Sequence, residues 1–152
     1  ANEFMKTRRY LQARAEYARV LRLNPDYEGA RKGLAEASRL QSELETNQAR
    51  ALSGAGKPFA AIRSYISALS IWPQNGRARA ELANLRGQES ARIPAYMQDG
   101  LREYNLRNYE QAIQRFQNVL LVNPGHKEAT EYLRLSQQKQ EAVRRLLERK
   151  KN

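Results

Sequence analysis

Apolar residues recur along the chain at helical spacing, and the same face returns three times. Ala13, Tyr17, Val20 and Leu21 stand at i, i+4, i+7 and i+8, which lines one side of a helix. The face reappears as Ala61, Tyr65, Ala68 and Leu69, and again as Ala112, Phe116, Val119 and Leu120. Each run closes on a proline eight residues past its aromatic, at Pro25, Pro73 and Pro124. Proline pushes the residue before it out of the α region and ends the helix there. Upstream, Tyr10, Pro58 and Tyr109 are equivalent, and downstream Ala30, Ala78 and Ala129 align, as do Leu34, Leu82 and Leu133. The repeat is shifted by 48 residues from Pro25 to Pro73 and by 51 from Pro73 to Pro124.

Between the prolines the pattern predicts long helices. Residues 26–53 hold no proline and only Gly29 and Gly33, so one helix of about 28 residues, roughly 42 Å, is expected. The stretch Gly54-Ala-Gly56-Lys57-Pro58 is a turn, followed by a shorter return helix over residues 59–71. Gly87 and Pro94 interrupt the next long helix, predicting a kink or break near residues 90–94. A second turn is expected at residues 105–108. The last helix runs over about residues 127–149 with a stripe of Ala129, Tyr132, Leu133, Ser136, Val143, Leu146 and Leu147. The stripes Ala30/Leu34/Ala37, Ala78/Leu82/Leu85 and Ala129/Leu133/Ser136 suit packing of the long helices on one another. No stretch reads as a strand, so the chain is all-α.

Composition narrows the function more than it identifies it. Among 152 residues there is no cysteine and one histidine, His126, which removes thiol chemistry and disfavours His-based metal or triad sites. Gly54-Ala-Gly56-Lys57-Pro58 imitates a phosphate loop, but Ala51 occupies the place of its first glycine and Pro58 that of the magnesium-holding Ser or Thr. No carboxylate pair sits in an apolar setting that would drive its pKa values apart. The expected answer is no enzyme, with no catalytic residue, no metal and no cofactor. No apolar run is long enough for a transmembrane segment. The compartment stays open between cytoplasm and periplasm, and Ala1 suggests a fragment of a larger protein.

The formal charge is +11, and the basic excess concentrates past Gln138 in Lys139, Arg144, Arg145, Arg149, Lys150 and Lys151. That tail is the candidate anion-binding patch, whereas charges elsewhere alternate in sign as on a solvated helix. Most aromatics fall at repeat-core places: Phe4, Tyr10, Tyr17, Tyr65, Tyr109 and Phe116. Trp72 covers a helix end, and Tyr27, Tyr96 and Tyr104 are free to face a partner. His126 sits solvated near the start of the last helix.

These residues resemble the tetratricopeptide repeat family, whose pattern runs W-x2-L-G-x2-Y, then A-x3-F, then P, in antiparallel helix pairs. The second half of the pattern is matched by Ala13/Tyr17/Pro25, Ala61/Tyr65/Pro73 and Ala112/Phe116/Pro124. In the first half, Tyr96 and Gly100 take the Trp and Gly places of the third copy, Ala49 and Leu52 stand for Gly and Tyr in the second, and Ala1 and Phe4 in the first. The resemblance implies a right-handed superhelical solenoid of antiparallel helix pairs with long first helices and a C-terminal capping helix. It is read as a single domain over residues 1–152, with repeats at about 1–25, 26–73 and 74–124 and a final helix over 125–151. The family repeats every 34 residues, so groove shape cannot be copied from ordinary members.

The family's inner-face places carry over to Asn2, Met5 and Lys6, then Asn47, Arg50 and Ser53, then Met97, Gln98, Leu101, Tyr104 and Asn105. Asn2 and Asn47 match two asparagines of the carboxylate clamp of chaperone-binding members. Pro94 and Gln98 stand where the clamp has Lys and Arg, which leaves it incomplete. The resemblance implies a protein–protein interaction scaffold or adaptor that binds a peptide or partner subunit, acidic ones included, on its concave face. The process would be assembly of a larger, bacterial complex, bacterial because the composition is arginine-rich. The alternative is a basic module that holds nucleic acid or an anionic surface through the tail and scattered arginines. Self-association through the C-terminal helix is a third possibility.

Overall fold

The computed structural model describes residues 2–149, the side chains of residues 2–8 and Arg149 excepted. It contains seven helices: α1 (Asn2–Leu23), α2 (Glu28–Gly54), α3 (Pro58–Ile71), α4 (Gly76–Ser90), α5 (Ile93–Asn105), α6 (Tyr109–Val122) and α7 (Lys127–Arg149). No strand occurs among the described residues, and the chain is an all-α, tetratricopeptide-like arrangement of helix pairs. Helix boundaries follow the breakers. Pro58 opens α3, Gly56 takes a left-handed φ of 69° in the turn before it, and α4 gives way to α5 just before Pro94.

The chain forms two compact units, Ala1–Leu85 and Arg86–Asn152. In the first, α2 packs against two neighbours, α1 and α3. Its first half packs on α1, where Arg14 donates to Ser38 Oγ (3.1 Å) and Gln41 Oε1 (2.9 Å). Its second half packs on α3 through the small buried residues Ser42, Thr46 and Ala49, opposite Ala61, Ile62, Tyr65 and Ala68. A helix of 27 residues can serve two neighbours in this way, and this accounts for the length that the repeat spacing implies.

The interface of α2 with α3 holds a polar network that leaves no group unpaired. Ser42 donates to the Ala68 carbonyl (2.8 Å) and Thr46 to the Ser42 carbonyl (2.7 Å). Asn75 Nδ2 donates to Ser42 Oγ (2.8 Å) and Thr46 Oγ1 (3.0 Å), while its Oδ1 accepts the Ala78 amide (2.9 Å) and so caps α4. The corresponding cap on α7 is His126, whose Nδ1 accepts the Ala129 amide at 3.1 Å. His126 is therefore a half-buried helix cap rather than a solvated side chain.

In the second unit the equivalent core is apolar. Met97, Ala112, Phe116, Val119 and Ala129 are buried together, with Ile93, Tyr96, Leu101, Tyr104, Leu120, Tyr132 and Leu133 against them. Phe116 stacks on Tyr132 (centroids 5.5 Å apart, planes at 23°), and Tyr104 meets Tyr109 and Tyr132 edge-on. Arg86 donates to the Leu121 carbonyl at 2.8 Å, a cation at the C-terminal end of α6.

One expectation is corrected, and one element differs between copies. The places that in the other copies belong to separate helices, around Phe4 and around Tyr10, lie on one uninterrupted α1. Lys6-Thr-Arg-Arg9 has neither the glycine of the second turn nor the asparagines of the third, so nothing breaks the helix there. The third stripe, Ala129 and Leu133, packs on the α6 core and not on another long helix.

Candidate functional site

The aromatic of each repeat meets the residue sixteen positions later, and the three encounters differ chemically. Tyr17 lies over Gly33, where a Cβ would stand 2.3 Å from the ring. Phe116 stacks on Tyr132. Between them in sequence, Tyr65 donates its hydroxyl to Glu81 Oε2 at 2.9 Å. Tyr65 is buried and Glu81 half-buried, so the middle pair brings a carboxylate against the α2–α3 interface. Burial, then the hydrogen bond to Glu81, pushes the Tyr65 phenol up to about 12.

Glu81 also organises two arginines. Its Oε1 accepts from Arg77 Nε at 3.1 Å and forms an ion pair with Arg50 Nε at 3.4 Å. Arg50 is thus an exposed side chain of α2 whose guanidinium pairs through Nε with a carboxylate of α4. Beside it on α2, Asn47 is exposed and Ser53 half-buried, while Ala49 between them is fully buried. Asn47, Arg50 and Ser53 fall at i, i+3 and i+6 and form one polar row. The row contains an amide, a guanidinium and a hydroxyl, groups that satisfy the backbone and carboxylates of an extended segment.

In the second unit the predicted inner-face residues separate into two groups. Gln98 and Asn105 are exposed, whereas Leu101 is half-buried against the core. Met97 and Tyr104 are corrections. Met97 is 6% exposed inside the core, at the place that Thr46 occupies in α2, and Tyr104 is held between Tyr109 and Tyr132. Tyr96 is likewise engaged, donating to Glu89 at 2.6 Å. Tyr17, expected in the core, lies at its edge and is 36% exposed. Asn2, Met5 and Lys6 fall outside the residues whose side chains are described.

The basic tail is less free than its charge count implies. Arg144 and Arg145 both reach Glu141, at 2.8 and 2.9 Å, and together hold its carboxyl below the ordinary range. Lys139 is exposed; the side chain of Arg149, together with Lys150 and Lys151, lies outside the described residues. Among the described residues no group of three His, Asp or Glu stands where it could hold a metal. No described helix is long and apolar enough to cross a membrane.

The tetratricopeptide repeat family model matches residues 1–46, which supports the resemblance to tetratricopeptide repeats over that segment. Repeats of this family generally mediate protein–protein interactions and typically act as non-enzymatic scaffolds. No curated protein matches the chain. The feature that sequence reasoning missed is the Glu81 anchor. Its signal was present as the sixteen-residue step from Tyr65, visible once Tyr17/Gly33 and Phe116/Tyr132 are set beside it.

Proposed function

We propose that the chain is a non-enzymatic docking scaffold that binds a partner subunit or peptide segment along the polar row of α2, with the exposed positions of α5 a separate contact of the second unit. The observation that carries this reading is Arg50, an exposed guanidinium paired through Nε with Glu81, beside the exposed amide of Asn47. A pre-positioned guanidinium loses less freedom on pairing with a partner's carboxylate than a free one. Assembly of a larger complex is the process that fits an adaptor without chemistry of its own. The pairing of Arg144 and Arg145 with Glu141 favours this reading over a nucleic-acid module.

A salt series separates the two. Binding of a fluorescent acidic peptide and of duplex DNA is measured by anisotropy from low to high salt. The scaffold reading expects peptide binding that falls at least tenfold in Arg50→Glu and weakens only modestly with salt. Duplex binding that is tighter than peptide binding and collapses with salt, unaffected by Arg50→Glu, supports the anionic-polymer reading instead.

A further inference from the structure

The face of α7 that covers α6 does not stop where α6 stops. Ala129, Tyr132 and Ser136 lie on this face, and Val143 and Leu147 continue it at i+7 and i+11 from Ser136. Yet α6 has 14 residues and α7 has 23, about 21 and 34 Å, so some 13 Å of α7 runs past the first residue of α6. On that overhang Val143 is 44% exposed, Leu146 59% and Leu147 57%, and Leu106 in the adjoining turn is 63% exposed. The overhang and the start of α6 enclose a groove lined by Arg107, Tyr109, Glu110, Lys139 and Val143.

The first unit shows what such a face accepts. Leu44 of α2 occupies the place that Val143 occupies in α7, on the side of α2 that Arg14 and Tyr17 approach. There α1 continues as helix before Tyr10, alongside α2, and Leu44 is half-buried. In the second unit a turn at residues 106–108 stands where α1 carries on. The missing piece is thus a helix lying in line with α6.

Charge states which kind of helix. Lys139 and Arg107 line the groove with no ion-pair partner among the described residues, against the single carboxylate of Glu110. The groove also receives the N-terminal end of α6, where Asn108 supplies no side-chain cap. A second copy fits poorly. The chain carries +11, and the α7 residues equivalent to the α3-facing Ser42, Thr46 and Ala49 are Glu141, Arg145 and Glu148. We infer that the overhang of α7 is a docking groove for an acidic amphipathic helix of a partner protein, distinct from the α2 row.

The test uses two synthetic 15-residue helical peptides with leucines at i, i+4, i+7 and i+11, one flanked by glutamates and one by lysines. Binding to the 152-residue chain is read by fluorescence anisotropy, with light scattering in parallel. The glutamate peptide should bind at least tenfold tighter than the lysine peptide. Val143→Asp should weaken it at least tenfold, Lys139→Glu several-fold, and Arg63→Glu on α3 not at all. These side chains are exposed, and unchanged circular dichroism will show that the variants fold. Equal binding of both peptides, indifference to Val143→Asp, or a dimer that Leu147→Asp dissociates would each overturn the proposal, the last by showing a second copy on the face.

Discussion

Gly33 and Gly100 both lie beneath an aromatic ring, but a methyl group added to each meets a different obstacle. At Gly100 the Cβ would stand 2.6 Å from Phe116, whose ring is fully buried and has nowhere to go. Overpacking of this kind costs about 1–3 kcal/mol, more than the roughly 1 kcal/mol that Ala gains over Gly in a helix. At Gly33 the intruded ring is Tyr17, 36% exposed and able to swing outward. Gly100→Ala should lower the melting temperature, and Gly33→Ala should leave it within error or raise it. Equal losses would contradict this account of the two contacts. Tyr65 supplies a pH signature at the same scale. Its folded pKa of about 12 exceeds the ordinary value of about 10, so its contribution is complete below about pH 10 and is lost as pH rises through about 12. Denaturant midpoints measured across that interval should fall more steeply for the wild type than for Tyr65→Phe.

Among the elements, the interface of α2 with α3 depends on Asn75. Replacing it with alanine removes the cap on α4 and two donors to Ser42 and Thr46, a loss of about 2 kcal/mol. Asn75→Asp keeps the capping oxygen and loses the donors, so it should fall between the wild type and Asn75→Ala in urea denaturation. The turn before α6 holds Arg107 at a φ of 62°, where the second copy has Gly56 at 69°. Arg107→Gly should therefore stabilise the chain by up to about 1 kcal/mol, and a loss of stability would show that the arginine is held there by more than the turn. The breaker positions made these elements legible: Pro58, Pro94 and the prolines after each aromatic mark helix ends that the structure keeps. Less legible was the uninterrupted α1, because the equivalent places in the other two copies flank a turn and nothing in residues 6–9 enforces one. The stripes were legible as buried faces, but periodicity does not say which neighbour covers them, and Ala129 and Leu133 turned out to face α6.

For the molecule as a whole, the residues carried over to α2 keep their exposure better than those carried over to α5. Asn47 and Arg50 are exposed, whereas Met97 and Tyr104 are taken up by an apolar core that Thr46 and Asn75 replace with hydrogen bonds in the other unit. A residue carried over by alignment keeps its place on the helix but not its surroundings, and surroundings decide whether it can meet a partner. The anchoring of Arg50 by Glu81 lay outside local patterning altogether, since it joins α2 to α4 across 31 positions. The most direct measurement of the docking account is site-specific photo-crosslinking from single positions of the folded chain, in cells that contain its partners. Reactive side chains at positions 47 and 50 should yield the same cross-linked protein, while those at the exposed positions 63 and 115 on α3 and α6 should yield none. Equal capture from 63 and 115, or none from 47 and 50, would contradict it.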